Sequence, residues 1–276
     1  MVVKRLRHDW PLHLILLIIL GATYFPLAFV VENSFKDAPQ FARDVFALPM
    51  PWRVDNYAAA WNGISGYLFN TIVVGAVSVA VTLILASLGA FAFARFRFPG
   101  REALFLLFLG LLMIPSILTL IPLFLEMKAL NLFNTWWALI LPYVAGGQAL
   151  TVFVLRSFFA ALPDEMFEAA RVDGASEWGI FARIAVPLSA PILGAMAIIN
   201  ALGVWGDYLW PTLVLQDGSR YTISAGIAQY TSSFGLVQQT GDVFAGYVLA
   251  TLPVIVLIVL TMRLYIAGMT SGSLKL

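Results

Sequence analysis

The chain contains no cysteine and only two histidines, His8 and His13. That excludes disulfides, thiolate nucleophiles and cysteine metal sites, and it removes the usual side-chain clusters for a zinc ion. Charge is scarce as well: Asp, Glu, Lys and Arg together make up 11% of the residues, with a formal net charge of +1. No strongly basic field is available, so no nucleic-acid partner is expected. The lysines are Lys4, Lys36, Lys128 and Lys275, preceded by Val3, Phe35, Met127 and Leu274. A phosphate-binding loop needs Gly-Lys-Ser/Thr, so this chain does not supply an ATPase. The acids are scattered over loops and neither histidine falls beside a pair of them, so no catalytic set is expected. What is abundant is apolar: 61% of the 276 residues are hydrophobic, more than a soluble domain of that length can bury.

Crossing the hydrocarbon core takes roughly 20 apolar residues. Six stretches with at most one charge each meet that length: Leu12 to Val31, Tyr67 to Ala94, Ala103 to Leu125, Trp137 to Leu155, Leu188 to Leu215 and Val243 to Ile266. The first follows Lys4, Arg5 and Arg7 and lacks a convincing small-x-small cleavage site, so it reads as a retained signal anchor. An even number of spans puts both termini on one side. Eleven of the 16 Lys and Arg fall on that side, including Arg95, Arg97, Arg101, Arg156, Arg171 and Arg183, which makes it cytoplasmic. The expectation is an all-α polytopic membrane protein with six transmembrane helices and both termini cytoplasmic. Its parts are residues 1–66 (first helix and outer segment), 67–266 (core with a loop at 160–187) and 267–276 (cytoplasmic tail). Pro115, Pro122, Pro142, Pro191, Pro211 and Pro253 lie in or near spans, and Gly146-Gly147 lies within the fourth, read as a helix-packing feature.

The loop at 160–187 has its own helical pattern. Pro163-Asp164-Glu165 starts a helix with proline in the first turn and acids at the positive dipole end. Gly174 breaks it, and Ser176 caps a second helix from Glu177 to Val186. Glu168-Ala169-Ala170, then Gly174 three residues on, then Ile184-Ala185-Val186-Pro187 nine residues later, resembles the E-A-A-x3-G-x9-I-x-L-P loop of binding-protein-dependent ABC importer permeases; only Val186 departs, from leucine. The resemblance extends to MalG-like permeases of carbohydrate importers through Ser34-Phe35-Lys36, Asn56-Tyr57, Asn70-Thr71, Ala94 to Gly100 and Gly268 to Lys275. It implies the MetI-like permease fold, in a bacterial inner membrane.

In such a family the loop is a coupling helix that docks on an ATPase subunit, which places Glu168, Ala169, Ala170, Asp173, Gly174, Ile184 and Pro187 in ATPase coupling. The implied partners are a MalF-like second permease, two ABC ATPase subunits and an extracytoplasmic solute-binding protein. The chain itself needs no cofactor; ATP and Mg belong to the ATPase. An amphipathic helix on the lipid surface is the competing reading of the loop, opposed by Asp164, Glu165, Glu168, Asp173 and Glu177, which anionic lipid repels.

For the cargo, Asp207 is the charge closest to the interior of a span. Asn200, Gly203 and Asp207 share a helical face, with Trp205 and Tyr208 nearby, a combination that suits the hydroxyls and C–H faces of a sugar. The competing reading makes the aromatics interface residues and Asp207 a helix-helix link. The family often has Asn at Gly206, which weakens substrate inference from that segment. A secondary transporter or channel subunit, and an importer of glycerol phosphate, stand as alternatives to a carbohydrate importer.

Overall fold

The computed structural model describes residues 10–233 and 240–273, and among them every regular element is helical. Lys4, Arg5, Arg7 and His8 and the tail residues Leu274 and Lys275 lie outside the described residues. In chain order the helices are α1 (Trp10–Asn33), α2 (Ala38–Arg43), α3 (Asp55–Arg95), α4 (Arg101–Gly110), α5 (Ser116–Ala129), α6 (Trp137–Ala161) and α7 (Asp164–Val172). They continue with α8 (Glu177–Leu188), α9 (Ala190–Gly206), α10 (Leu209–Val214), α11 (Ile223–Ser233) and α12 (Thr240–Ser273).

Helices α1, α3, α6 and the segment Thr240–Thr261 of α12 are each long and apolar enough to cross a membrane. Their outward side chains are apolar, as at Leu16, Leu17, Ile84 and Val259, which suits acyl chains as solvent. At 41 residues α3 reaches well beyond the expected start at Tyr67. Its length of about 60 Å is twice the ~30 Å hydrocarbon layer.

One expected span is sharply bent and another starts at a bend. Ala103 to Leu125 becomes α4, a 3₁₀ turn (Leu111–Met113) and α5, with a 98° bend between the arms. Proline has no N–H to donate and forces its predecessor out of the helical region; Ile114 is accordingly extended (ψ 115°) and α5 starts only after Pro115. The fifth stretch, Leu188 to Leu215, begins at a 75° bend between α8 and α9, where the Ser189 hydroxyl donates back to the Ala185 carbonyl at 2.7 Å. It then stops at Gly206, because Asp207 is extended (ψ 116°), and the short α10 follows. Counting each bent pair as one crossing gives six.

The chain forms two compact units. In the first, the described residues of 1–65 and 227–252, the segment after α1 is pinned by polar groups. The Asn56 amide donates to the Ser34 and Lys36 carbonyls (2.8 and 2.9 Å), and the Ser34 and Tyr57 hydroxyls share a bond of 2.7 Å. Lys36, 1% exposed, donates from Nζ to Glu32 Oε1 at 3.0 Å and the Val45 carbonyl at 2.8 Å, the compensation a buried ammonium needs. The Ser34-Phe35-Lys36 and Asn56-Tyr57 pairs are thus a structural clasp.

The second unit, the described residues of 66–226 and 253–276, has two apolar cores. One is aromatic: Phe91 packs against Phe96, Phe159, Phe167 and Phe181 with ring centroids 5.3–6.4 Å apart. The other gathers Val74, Leu139, Val204, Trp210 and Val214, and the Trp210 indole donates to the Ala138 carbonyl at 2.8 Å.

Candidate functional site

The loop after α6 folds as helix, turn, helix. α7 starts at Asp164, one residue later than the proline-in-first-turn reading, with Pro163 in the cap position. It ends in a Schellman arrangement: the Gly174 N–H donates to the Arg171 carbonyl (3.0 Å) and the Ala175 N–H to that of Ala170 (2.9 Å). That closure puts Gly174 at φ +82°, a region where a Cβ is costly. The Ser176 hydroxyl accepts from the Gly179 N–H at 3.1 Å and caps α8. α8 runs past Val186 to Leu188 and loosens into a π turn at Phe181–Ala185.

Position in the fold divides the motif residues. Glu168, Ala169, Asp173 and Gly174 are exposed, as is Pro187, whereas Ala170 and Ile184 pack partly against the aromatic core. The amphipathic α7 buries one side chain fully, Phe167, at 1% exposure. Arg171 and Glu177 bridge α7 and α8 at 2.8 Å, and the Glu177 carboxylate pushes the Arg171 guanidinium further up from its already high pKa. Both groups are well exposed, so the pair adds little stability.

Beneath the loop lies a residue that the sequence showed as one cation among several and as part of the Ala94 to Gly100 resemblance, without a role of its own. The side chain of Arg95, the last residue of α3, is 7% exposed. Its guanidinium donates to the Phe159 and Leu162 carbonyls at the end of α6 (2.5 and 2.7 Å) and to the Asp164 carboxylate at the start of α7. It also lies 3.9 Å above the Phe167 ring. One planar fork thus fastens α3, α6 and α7 to each other.

The expected cargo residues separate. Asn200 and Gly203 on α9 line a cavity of about 290 Å³ with Ser78, Thr82 and Tyr143. Asp207 lines an adjoining cavity of about 300 Å³ with Ser116 and Thr119; the two share Pro142, Tyr143 and Gly146. The shared helical face does not extend to Asp207, because α9 has ended; its carboxylate instead accepts from the Tyr143 hydroxyl (2.9 Å) and the Trp210 N–H (3.2 Å). The Asn200 amide donates to Thr151 Oγ1 at 3.1 Å. Trp205 turns to a different, apolar cavity of about 460 Å³ with Pro253 and Leu257, and Tyr208 is 51% exposed. Ser78, 2% exposed, has no hydrogen-bond partner for its hydroxyl among the described residues. Tyr143, Ser78 and Thr82 went unnoticed in the sequence because a lone hydroxyl in an apolar run carries no spacing signal.

Gly147 explains how α3, α6 and α9 come close enough to frame the first cavity. A Cβ there collides with Asn200 Oδ1 and stands 2.9 Å from the Thr82 methyl. Gly147→Leu is expected to cost about 1–3 kcal/mol as overpacking, read as a lower Tm in detergent. Gly146→Ala, with open space at its Cβ, is the matched control.

Residues 86–267 match the family described as binding-protein-dependent transport system inner membrane component. The chain is 34% identical over 261 residues to a probable ABC transporter permease protein, YurM, of Bacillus subtilis (strain 168), covering 94% of this chain and 86% of that one. It is 34% identical over 252 residues to the diacetylchitobiose uptake system permease protein NgcG of Streptomyces coelicolor, covering 91% and 83%. Its fold matches a chain in the crystal structure of a bacterial ABC transporter involved in import of the acidic polysaccharide alginate: TM-score 0.81 at 21% identity, covering 93% and 97%.

Proposed function

The chain belongs to the family of binding-protein-dependent transport system inner membrane components, and from that premise we propose that it imports a carbohydrate, with the loop at 160–187 as its contact to the motor. As a member of that family it is a multi-pass inner-membrane permease subunit and not itself an enzyme; ATP hydrolysis belongs to a partner chain. The observation that carries the reading is the build of the loop: a short helix clamped to the membrane core through Phe167 and Arg95, its Glu168 and Ala169 face free, and a left-handed Gly174 fixing the return. Such a piece moves as one with α3 and α6 when a partner pushes on it. The partners are two ATPase subunits carrying ATP and Mg, a second MalF-like permease and an extracytoplasmic solute-binding protein, with the termini of this chain on the ATPase side. The cargo passes the adjoining cavities at Asn200, Tyr143 and Asp207, whose hydroxyl, amide and carboxylate groups suit sugar hydroxyls.

The test is reconstitution of the assembled complex in proteoliposomes with uptake of a labelled di- and trisaccharide panel. Uptake is expected only with ATP and the ATPase subunits present. Uptake driven by an ion gradient without ATP overturns the reading.

A further inference from the structure

We infer that Asp207 makes the path a charge filter, so that the cargo is a neutral solute and anions are turned away. This rests on the cavities beside Tyr143 being the cargo path. The carboxylate sits at the break between α9 and α10, half-buried, and both donors it accepts from are neutral: the Tyr143 hydroxyl and the Trp210 N–H. None of the ion pairs among the described residues includes it. The residues lining the two adjoining cavities include no Lys, Arg or His, and their other polar groups are hydroxyls and amides, among them Ser78, Thr82, Thr119 and Asn200. A solute anion meets, on this chain's side of the path, a carboxylate with no cation beside it, and no Lys, Arg or His in either lining to neutralise the anion's own charge. At an effective dielectric of ~20 and a separation on the order of 8 Å, like charges disfavour each other by roughly 30-fold. Glycerol phosphate and uronate sugars therefore fall outside the cargo class.

The absence of cysteine allows a direct measurement. Thr119→Cys places a single thiol in the cavity that holds Asp207. In the assembled complex, its rates with cationic and anionic methanethiosulfonates, normalised to a free thiol, are expected to differ by about tenfold or more in favour of the cation. Adding Asp207→Asn brings the ratio close to one; Asp207→Glu keeps it high and shows that the charge, not the shape, is responsible. A ratio near one before Asp207 is changed, or one that Asp207→Asn leaves in place, overturns the filter. No labelling by either reagent also overturns it, since solute then does not reach the site. Sugar uptake by the labelled complex separates the two claims. Uptake blocked with equal rates removes only the filter, whereas full labelling without effect on uptake removes the cavity from the path.

Discussion

Replacing Arg95 with alanine is expected to uncouple ATP hydrolysis from import while the helices still insert. The side chain is 7% exposed and gives two bonds to carbonyls ending α6, one to Asp164 and a cation–π contact to Phe167. Hydrogen bonds to a charged group contribute about 1.5–3 kcal/mol each. Losing the two carbonyl bonds alone costs about 3 kcal/mol or more, roughly a hundredfold in the population with α7 held in place. Asp164 is 80% exposed and returns to water at little cost, so the loss falls on the link and not on the acid. Arg95→Lys keeps the charge but not the fork, and should recover only part of the coupling. The measurement is sugar imported per ATP hydrolysed in proteoliposomes. An unchanged ratio in Arg95→Ala sinks the idea that this side chain transmits the stroke.

Gly174 should give the second large effect, graded by residue. Alanine at φ +82° is expected to cost about 1–2 kcal/mol and to lower coupled uptake by about tenfold. Open space surrounds the position, so the penalty is one of backbone conformation and not of crowding. Proline acts three times: its ring fixes φ near −65°, it removes the N–H donated to the Arg171 carbonyl, and it forces Asp173 from its present ψ of 2°. Gly174→Pro is therefore expected to abolish ATP-driven uptake while membrane insertion, read by protease protection, stays normal. Equal uptake by the glycine, alanine and proline forms would mean that the turn has no part in coupling.

Much of this was legible in the chain before folding. Hydropathy put a stretch on each of the four helices long and apolar enough to cross and on part of each bent pair, because a helix in lipid must satisfy its backbone internally and show apolar side chains over a fixed length. The turn at Gly174 and the cap at Ser176 were readable for a similar reason: both are set by residues within five positions of each other. The bends at Pro115 and Ser189 were not located, since prolines such as Pro122, Pro142 and Pro253 sit inside helices that continue through them. Whether a proline breaks or only loosens a span depends on what satisfies the freed carbonyls, which is a tertiary matter.

The residues expected on the cargo side show where local reading ends. Asp207 was assigned to a helical face by spacing, but α9 had stopped one residue earlier and the carboxylate answers to Tyr143, 64 positions away in the chain. Arg95 was one of several arginines near a helix end, and nothing adjacent in sequence marks the carbonyls of Phe159 and Leu162 as its partners. By itself the sequence determined the solvent, the apolar stretches long enough to cross and the turn chemistry of the loop at 160–187, because those follow from side-chain transfer and short-range backbone geometry. Only the tertiary structure decided which hydroxyls meet in a cavity, which carboxylate goes without a cation and which arginine joins three helices, because those contacts pair residues far apart in the chain.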